Sequence, residues 1–218
     1  MCNLYSSTMP PDAMRHLFGV RGARDHLGNA EPLTAIYPKY HAPIVTVQDS
    51  ERSLTTAQWG FLTPNKSRKT GKWLKPQAWS NTRDDKIMTA PLWRDSFEAR
   101  RCLIPATAYA EATGRNPATY HWFRVAQAEG FAFAGIWKHH KATIGDTEID
   151  DIFYSVVTTA PNALVAKYHN RMPLILPRDA YTTWLTGTPE NAALLLTPLP
   201  ADQVEVIASG EGLREEPV

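Results

Sequence analysis

The sequence predicts an α+β fold: a single domain over residues 1–218, built on one strongly bent, barrel-like sheet of mixed or antiparallel strands with a few short helices. Three observations lead there. Seven runs rich in β-branched and aromatic residues, each bounded by Gly, Pro or Asn, follow one another along the chain. Few helical segments separate them, which does not suit a doubly wound parallel sheet, where strands alternate with helices. The size also fits: 218 residues, 43% hydrophobic and 21% charged, can bury one core and are too apolar for general disorder.

In chain order, PPDAMRHLFG reads as a short helix. Pro11 suits a first turn, Met14, Leu17 and Phe18 share a face at i, i+3 and i+4, and Gly19 ends it. Gly22, Gly28, Pro32 and Pro38 then break the chain into loop as far as about residue 40. The strand runs are PIVTV, LTTAQWGFL, RRCLIPATAYAEA, TYHWFRV, FAFAGIW, DIFYSVVTTA and PLILP. PNALVAKYH reads as a helix starting at Pro161, and PRDAYTTWL and PENAALLL as two short late helices. The ordered core is expected over about residues 2–208, with 209–218 a solvated tail.

Composition excludes several classes. No apolar run reaches the roughly 18 residues of a membrane helix, and the start lacks a basic-then-apolar segment, so a soluble cytoplasmic protein is expected. Two cysteines, Cys2 and Cys102, support neither a disulfide framework nor a cysteine zinc site, and no HExxH spacing occurs; no metal and no cofactor are expected. Cys102 lies in an apolar strand and reads as a buried, inert thiol. The net charge of +1 is uninformative, but its distribution is not: NKSRKTGKWLK holds Lys66, Arg68, Lys69, Lys72 and Lys75 with no acidic residue and reads as a surface loop.

Cys2 stands directly behind the initiator methionine, and a residue that small lets aminopeptidases remove Met1. The chain would then begin with a 1,2-aminothiol, an α-amine (reference pKa about 7.7–8.0) beside a thiol (about 8.5). Such a terminus serves two chemistries: amide cleavage by an N-terminal nucleophile, or capture of an aldehyde as imine and then thiazolidine. From position alone, an incidental cysteine competes with both. In SNTR, an extended segment puts Asn81 and Arg83 on one face, suited to orienting a substrate and holding an anionic oxygen; a plain turn is the alternative. Glu111 ends an apolar strand, where desolvation raises a carboxyl towards neutral pH, unless it is a solvated edge residue. His169 stands at a helix exit before a strand, placed either for catalysis or merely on the helix dipole. His139 and His140 in WKHHKAT read as surface residues.

Together, the Met-Cys start, WGFL, SNTR, RRCLIPATAYAE, FAGIW, TTAPN and HNRMPLIL resemble, in order, the SRAP (SOS response-associated peptidase) family, whose members cross-link to abasic sites in single-stranded DNA. The resemblance covers Cys2 to about Leu185. It implies the SRAP fold, with Cys2 as the cross-linking nucleophile and Asn81, Glu111 and His169 at the other active-site positions. Arg83 and Arg171 would hold phosphate. Lys66, Arg68, Lys69 and Lys72 would add contacts, with Trp73 the candidate aromatic for base stacking. The implied activity is a thiazolidine DNA–protein cross-link that shields the lesion in a DNA-damage response, with lyase-like and self-processing peptidase activity. The expected partner is single-stranded DNA carrying abasic sites, and the expected state a monomer in the cytoplasm, nucleoid-associated if bacterial. One departure stands out: many members begin MCGRF, whereas MCNLY puts Asn3 and Leu4 where Gly and Arg would be, removing a phosphate contact that the basic loop would replace. A cysteine hydrolase of the N-terminal-nucleophile type and a noncovalent single-strand binder remain the alternatives.

Overall fold

The computed structural model describes residues 2–145 and 147–217. Strand β1 (Tyr5–Ser7) leads to helix α1 (Pro11–Phe18), which buries Met14 and Phe18. Gly19 closes this helix at φ 63°, a left-handed conformation that disfavours side chains, and the Val20 N–H donates back to Arg15 O at 2.9 Å. Strands β2 (Leu33–Ile36), β3 (His41–Gln48), β4 (Glu51–Trp59), β5 (Phe61–Thr63), β6 (Gln77–Trp79) and β7 (Asn81–Arg83) come next, followed by short helices α2 (Asp84–Ile87) and α3 (Arg94–Ala99). The chain continues through β8 (Arg101–Ala106), β9 (Ala108–Thr113), β10 (Thr119–Val125), β11 (Phe131–Ile144), β12 (Thr147–Thr159), β13 (Met172–Pro173) and β14 (Ile175–Leu176). Helices α4 (Tyr181–Thr186) and α5 (Pro189–Ala193) precede the last strand, β15 (Val204–Glu211).

Pairing explains the bent sheet. Strand β12 pairs with β4, β4 with β3, β3 with β8, β8 with β11, and β11 returns to β12, so five strands close into a barrel. Within the ring the β4–β12 pair is parallel and the others are antiparallel, and closure leaves the ring no open edge. A second sheet, in the order β15-β10-β9-β1-β2, packs on the barrel. Tyr5, Trp59, Tyr109, Phe123, Phe133 and Tyr154 fill the core between them and are all fully buried. Each such side chain contributes about 1.5–3 kcal/mol by leaving water. The α+β barrel-like architecture is the one the sequence predicts.

Several boundaries differ from the sequence reading. The run 100–112 is two strands in different sheets, broken at Thr107. There the Thr107 N–H donates to Ser6 O at 2.9 Å and its hydroxyl donates to Glu216 at 2.8 Å, so side-chain bonds replace the ladder at the crossing. LTTAQWGFL likewise breaks at Gly60, whose φ of 119° suits glycine alone. In place of the helix expected from Pro161 there is a single 3-10 turn, Val165–Lys167. The Asn162 carboxamide accepts from Val165 N–H at 2.9 Å and donates to Leu199 O at 2.9 Å, which pins one turn and tethers it elsewhere. The tail stays at the surface, with none of residues 209–217 buried, but it is tethered: Glu216 N–H donates to Thr34 O at 3.0 Å, Trp122 Nε1 donates to Leu213 O at 2.9 Å, and β15 runs on to Glu211. Among the described residues no helix is long and apolar enough to cross a membrane.

Candidate functional site

Cys2 is fully buried just before β1, in the core cluster that also holds Tyr5 and Tyr109. Its Sγ lies 3.6 Å from Leu4 O, a contact in which the thiol donates. Burial, and after it the charge of Glu111, pushes this thiol far above its ordinary range, so the resting sulfur is protonated. The Cys2 carbonyl accepts from Asn81 Nδ2 at 2.8 Å, a bond spanning 79 positions. Asn81 starts β7, which runs parallel to β12 with Asn81 opposite Val156, so the barrel wall holds the amide under the N-terminus. The same Nδ2 donates to Ser80 Oγ at 3.1 Å and reaches Asn3 Oδ1 at 3.4 Å. Asn81 Oδ1 is buried and, among the described residues, accepts no hydrogen bond.

Strand β9 brings Glu111 to the same place. Its side chain is 3% exposed, and burial raises its carboxyl to about 7, as the apolar setting of ATAYAEA suggests. His169 follows the 3-10 turn, with Nδ1 at 3.0 Å from both N and O of Arg171; the turn grips the ring in either tautomer. Burial lowers the pKa of this imidazole, favouring the neutral form. A cleft of about 420 Å³ is lined by Asn3, Leu4, Tyr37, Glu111, Tyr120 and His169 among others. Thus Cys2, Asn81 and Glu111 are drawn together, and His169 shares the cleft with Glu111. A larger cleft of about 680 Å³ between α1 and the β10–β11 turn holds no cysteine, and its size does not make it the chemical site. Among the described residues, no group of three or more His, Cys, Asp or Glu comes together in a way that could hold a metal.

The arginines are less free than their positions suggest. Arg83 makes a two-pronged ion pair with Asp85, at 2.8 and 2.9 Å, on the surface. Arg171 is 13% exposed, bonds Asp84 at 2.7 Å and also reaches Thr158 O, bracing α2 against the end of β12. Phosphate would compete with acids already in place. The basic segment is a small hairpin held by Ser67 N–H to Lys72 O at 2.9 Å and Leu74 N–H to Asn65 O at 2.9 Å. Arg68, Lys69 and Lys72 point to solvent, while Lys66 Nζ sits 4.0 Å over the Trp73 ring. Trp73 is 47% exposed and leans on the β11–β12 turn, where a Cβ at Gly145 would lie 3.0 Å from it.

Two residues escaped the sequence reading. Trp79, two positions before Asn81, is 45% exposed, with Nε1 donating to Thr63 Oγ1 at 3.0 Å; its signal was its position beside SNTR. Tyr109 lies two residues before Glu111 on the same face of β9, and strand periodicity would have paired them once the strand was placed. Cys102, by contrast, is the buried inert thiol expected. His139 is on the surface, as read, and bonds Asp150 at 2.7 Å, while His140 is only half exposed, with its Nε2 buried.

Comparison with known proteins converges on one family. The chain is 27% identical over 187 residues to abasic site processing protein YoqW of Bacillus subtilis (strain 168), covering 82% of this chain and 79% of that one. Its match to abasic site processing protein YoaM of the same organism is 28% identical over 190 residues, covering 82% and 78%. Its fold matches a crystal structure from Bordetella bronchiseptica with a TM-score of 0.74 at 24% identity, over 96% of this chain and 99% of that one. A second, from Bacteroides thetaiotaomicron, gives 0.75 at 22%, over 95% and 92%. The family model described as SOS response associated peptidase (SRAP) matches residues 1–210, and the chain belongs to that family.

Proposed function

We propose that this protein captures abasic sites in single-stranded DNA by closing a thiazolidine on Cys2 after Met1 is removed, and so shields the lesion. The observation that carries this reading is Cys2 buried beside a carboxyl whose pKa is about 7, with its carbonyl held by Asn81. The relatives' description as abasic site processing proteins supports it.

The pKa shifts order the steps. The buried thiol is protonated at rest, whereas an N-terminal amine near its reference value of about 7.7–8.0 is partly free at neutral pH, so the amine acts first. It attacks the aldehyde of the open-chain sugar, the protonated Glu111 carboxyl gives its proton to the departing hydroxyl, and water leaves, giving a protonated imine and the Glu111 carboxylate. The sulfur then adds to the imine carbon: a C–S bond forms, the C=N pair returns to nitrogen, and the thiol proton passes to the Glu111 carboxylate. A carboxyl that titrates near 7 is well matched to that transfer. His169 serves sugar ring opening from its side of the cleft, and the unoccupied Asn81 Oδ1 accepts a hydrogen from the sugar or the amine. Arg83 and the basic hairpin hold the backbone. Trp79, exposed beside Asn81, is better situated than Trp73 to stack a neighbouring base.

Intact mass spectrometry with a single-stranded oligonucleotide bearing one abasic site tests the reading. The protein mass should lack Met1 and rise by the oligonucleotide mass less one water, in a product that survives denaturation. A Met-less protein that never gains mass would end it.

A further inference from the structure

Three tyrosine hydroxyls lie in the buried region behind Cys2, and they are not equivalent. Tyr5 and Tyr154 satisfy each other, with their oxygens 2.5 Å apart. Tyr109 does not: its hydroxyl is fully enclosed and, among the described residues, has no hydrogen-bond partner. A buried donor left unmade is a cost to the fold, and the ring has little freedom to turn away. It is stacked on Phe123 at 5.1 Å and set edge-on to Phe133 at 5.9 Å between centroids.

Three features place this hydroxyl in the same buried region as the chemistry. Tyr109 and Glu111 alternate onto one face of β9, Tyr109 pairs with Tyr5 across to β1, and Cys2 belongs to the same buried cluster. Cys2 and Glu111 both act on the phenol electrostatically, Cys2 the more strongly, and burial keeps the phenol protonated, as a donor.

We propose that Tyr109 is a positioning residue for Cys2, its hydroxyl donating a hydrogen bond to the sulfur as negative charge builds there. The proposal rests on the covalent-capture reading above and adds a group to it. As sulfur adds to the protonated imine, its proton goes to Glu111, and the Tyr109 O–H stays bonded to its own oxygen throughout. The phenol transfers no proton; it lowers the energy of the sulfur while its charge is largest. The titratable groups that act electrostatically with Cys2 are Glu111 and Tyr109 from β9, Tyr5 from β1 and Tyr154 from β12, beside the α-amine that Met1 removal leaves on Cys2 itself.

Tyr109→Phe removes the oxygen and keeps the ring. The first measurement needs no DNA: the rate at which iodoacetamide alkylates Cys2, followed by peptide mass from pH 6 to 9, with buried Cys102 as internal reference. The variant should react at least tenfold more slowly at every pH, and its capture of an abasic oligonucleotide should slow by a similar factor with oligonucleotide affinity unchanged. Its melting temperature should equal or exceed that of the wild type, since an unpaired buried hydroxyl has been removed. Tyr154→Phe is the counter-variant: it breaks a satisfied pair, so it should lower the melting temperature and leave alkylation within a factor of two. Wild-type alkylation and capture rates in Tyr109→Phe would overturn the proposal. A wild-type protein that captures no oligonucleotide would end the covalent-capture reading instead, while the alkylation difference still judged Tyr109.

Discussion

The terminus around Cys2 and the basic hairpin around Trp73 handle polarity in opposite ways. Near Cys2, polar groups are buried: Asn81 Oδ1 and the Tyr109 hydroxyl accept or donate nothing among the described residues, and burial raises the Glu111 carboxyl to about 7. At the hairpin and at Arg83, charge is exposed, with Arg83 paired to Asp85 and Lys66 set over the Trp73 ring. Unsatisfied buried groups are costly to keep and are therefore poised to act on a ligand that satisfies them. Exposed pairs are worth little and exchange readily, which suits reversible grip on a backbone. The first region would thus determine whether a bond forms, the second how often DNA arrives.

Mutations can break that division, beginning with the largest effect. Cys2→Ala should abolish heat-stable adducts on a denaturing gel while weak DNA binding survives, and Cys2→Ser should give at most a reversible imine; a stable adduct in the alanine variant would refute the division outright. Next is Glu111→Gln, expected to slow capture by roughly 100-fold or more. Because the carboxylate is the base and its pKa is about 7, wild-type capture should climb as pH rises through 7, and the Gln variant should lose that limb. The same shift has a consequence for stability. The folded pKa of about 7 lies above the ordinary carboxyl value of 4.5, so the native state holds a proton the unfolded chain releases, and stability falls between pH 4.5 and 7 as pH rises. The loss amounts to up to roughly 3 kcal/mol, readable as a drop in urea midpoint from pH 5 to 8 that Glu111→Gln should lack.

Smaller effects are expected on the exposed side. Trp79→Ala should weaken single-strand binding by about 1–3 kcal/mol, as loss of one stacked base predicts, and more than Trp73→Ala does. Equal losses at the two positions would return the stacking role to the hairpin. Arg83→Ala should lower affinity modestly and reduce the logarithmic salt slope by about 0.7, one single-strand phosphate contact, leaving adduct yield at saturating DNA unchanged. An unaltered slope would remove Arg83 from the backbone contacts.

Much of this molecule is legible before folding is considered. Helix α1 carries its own start, face and stop in Pro11, Met14, Phe18 and Gly19, all within one short stretch, and the strand runs announce themselves by β-branched and aromatic content. The helix and the strand runs depend on residues a few positions apart, whose side chains and backbone interact whatever the rest of the chain does. The alanine neighbours of Glu111 offered burial as one of two readings, a solvated strand edge being the other; the face of β9 that packs inward decided for burial, since Ala112 beside it is exposed.

Tertiary structure decided the remainder. Whether the run at 100–112 stayed in one sheet depended on Thr107 meeting Ser6 and Glu216, and the helix expected after Pro161 lost to an Asn162 bond reaching Leu199. Arg171 points to DNA in the sequence and to Asp84 in the fold. Asn81 meets Cys2 across 79 positions, and the Tyr5–Tyr154 pair, which leaves Tyr109 as the odd hydroxyl, spans 149. Periodicity records which face of a strand is buried, but not which residue from a distant strand will stand opposite. That choice is made by barrel closure and packing, and there a donor either finds an acceptor, as Tyr5 and Tyr154 do in each other, or is left without one, as Tyr109 is among the described residues.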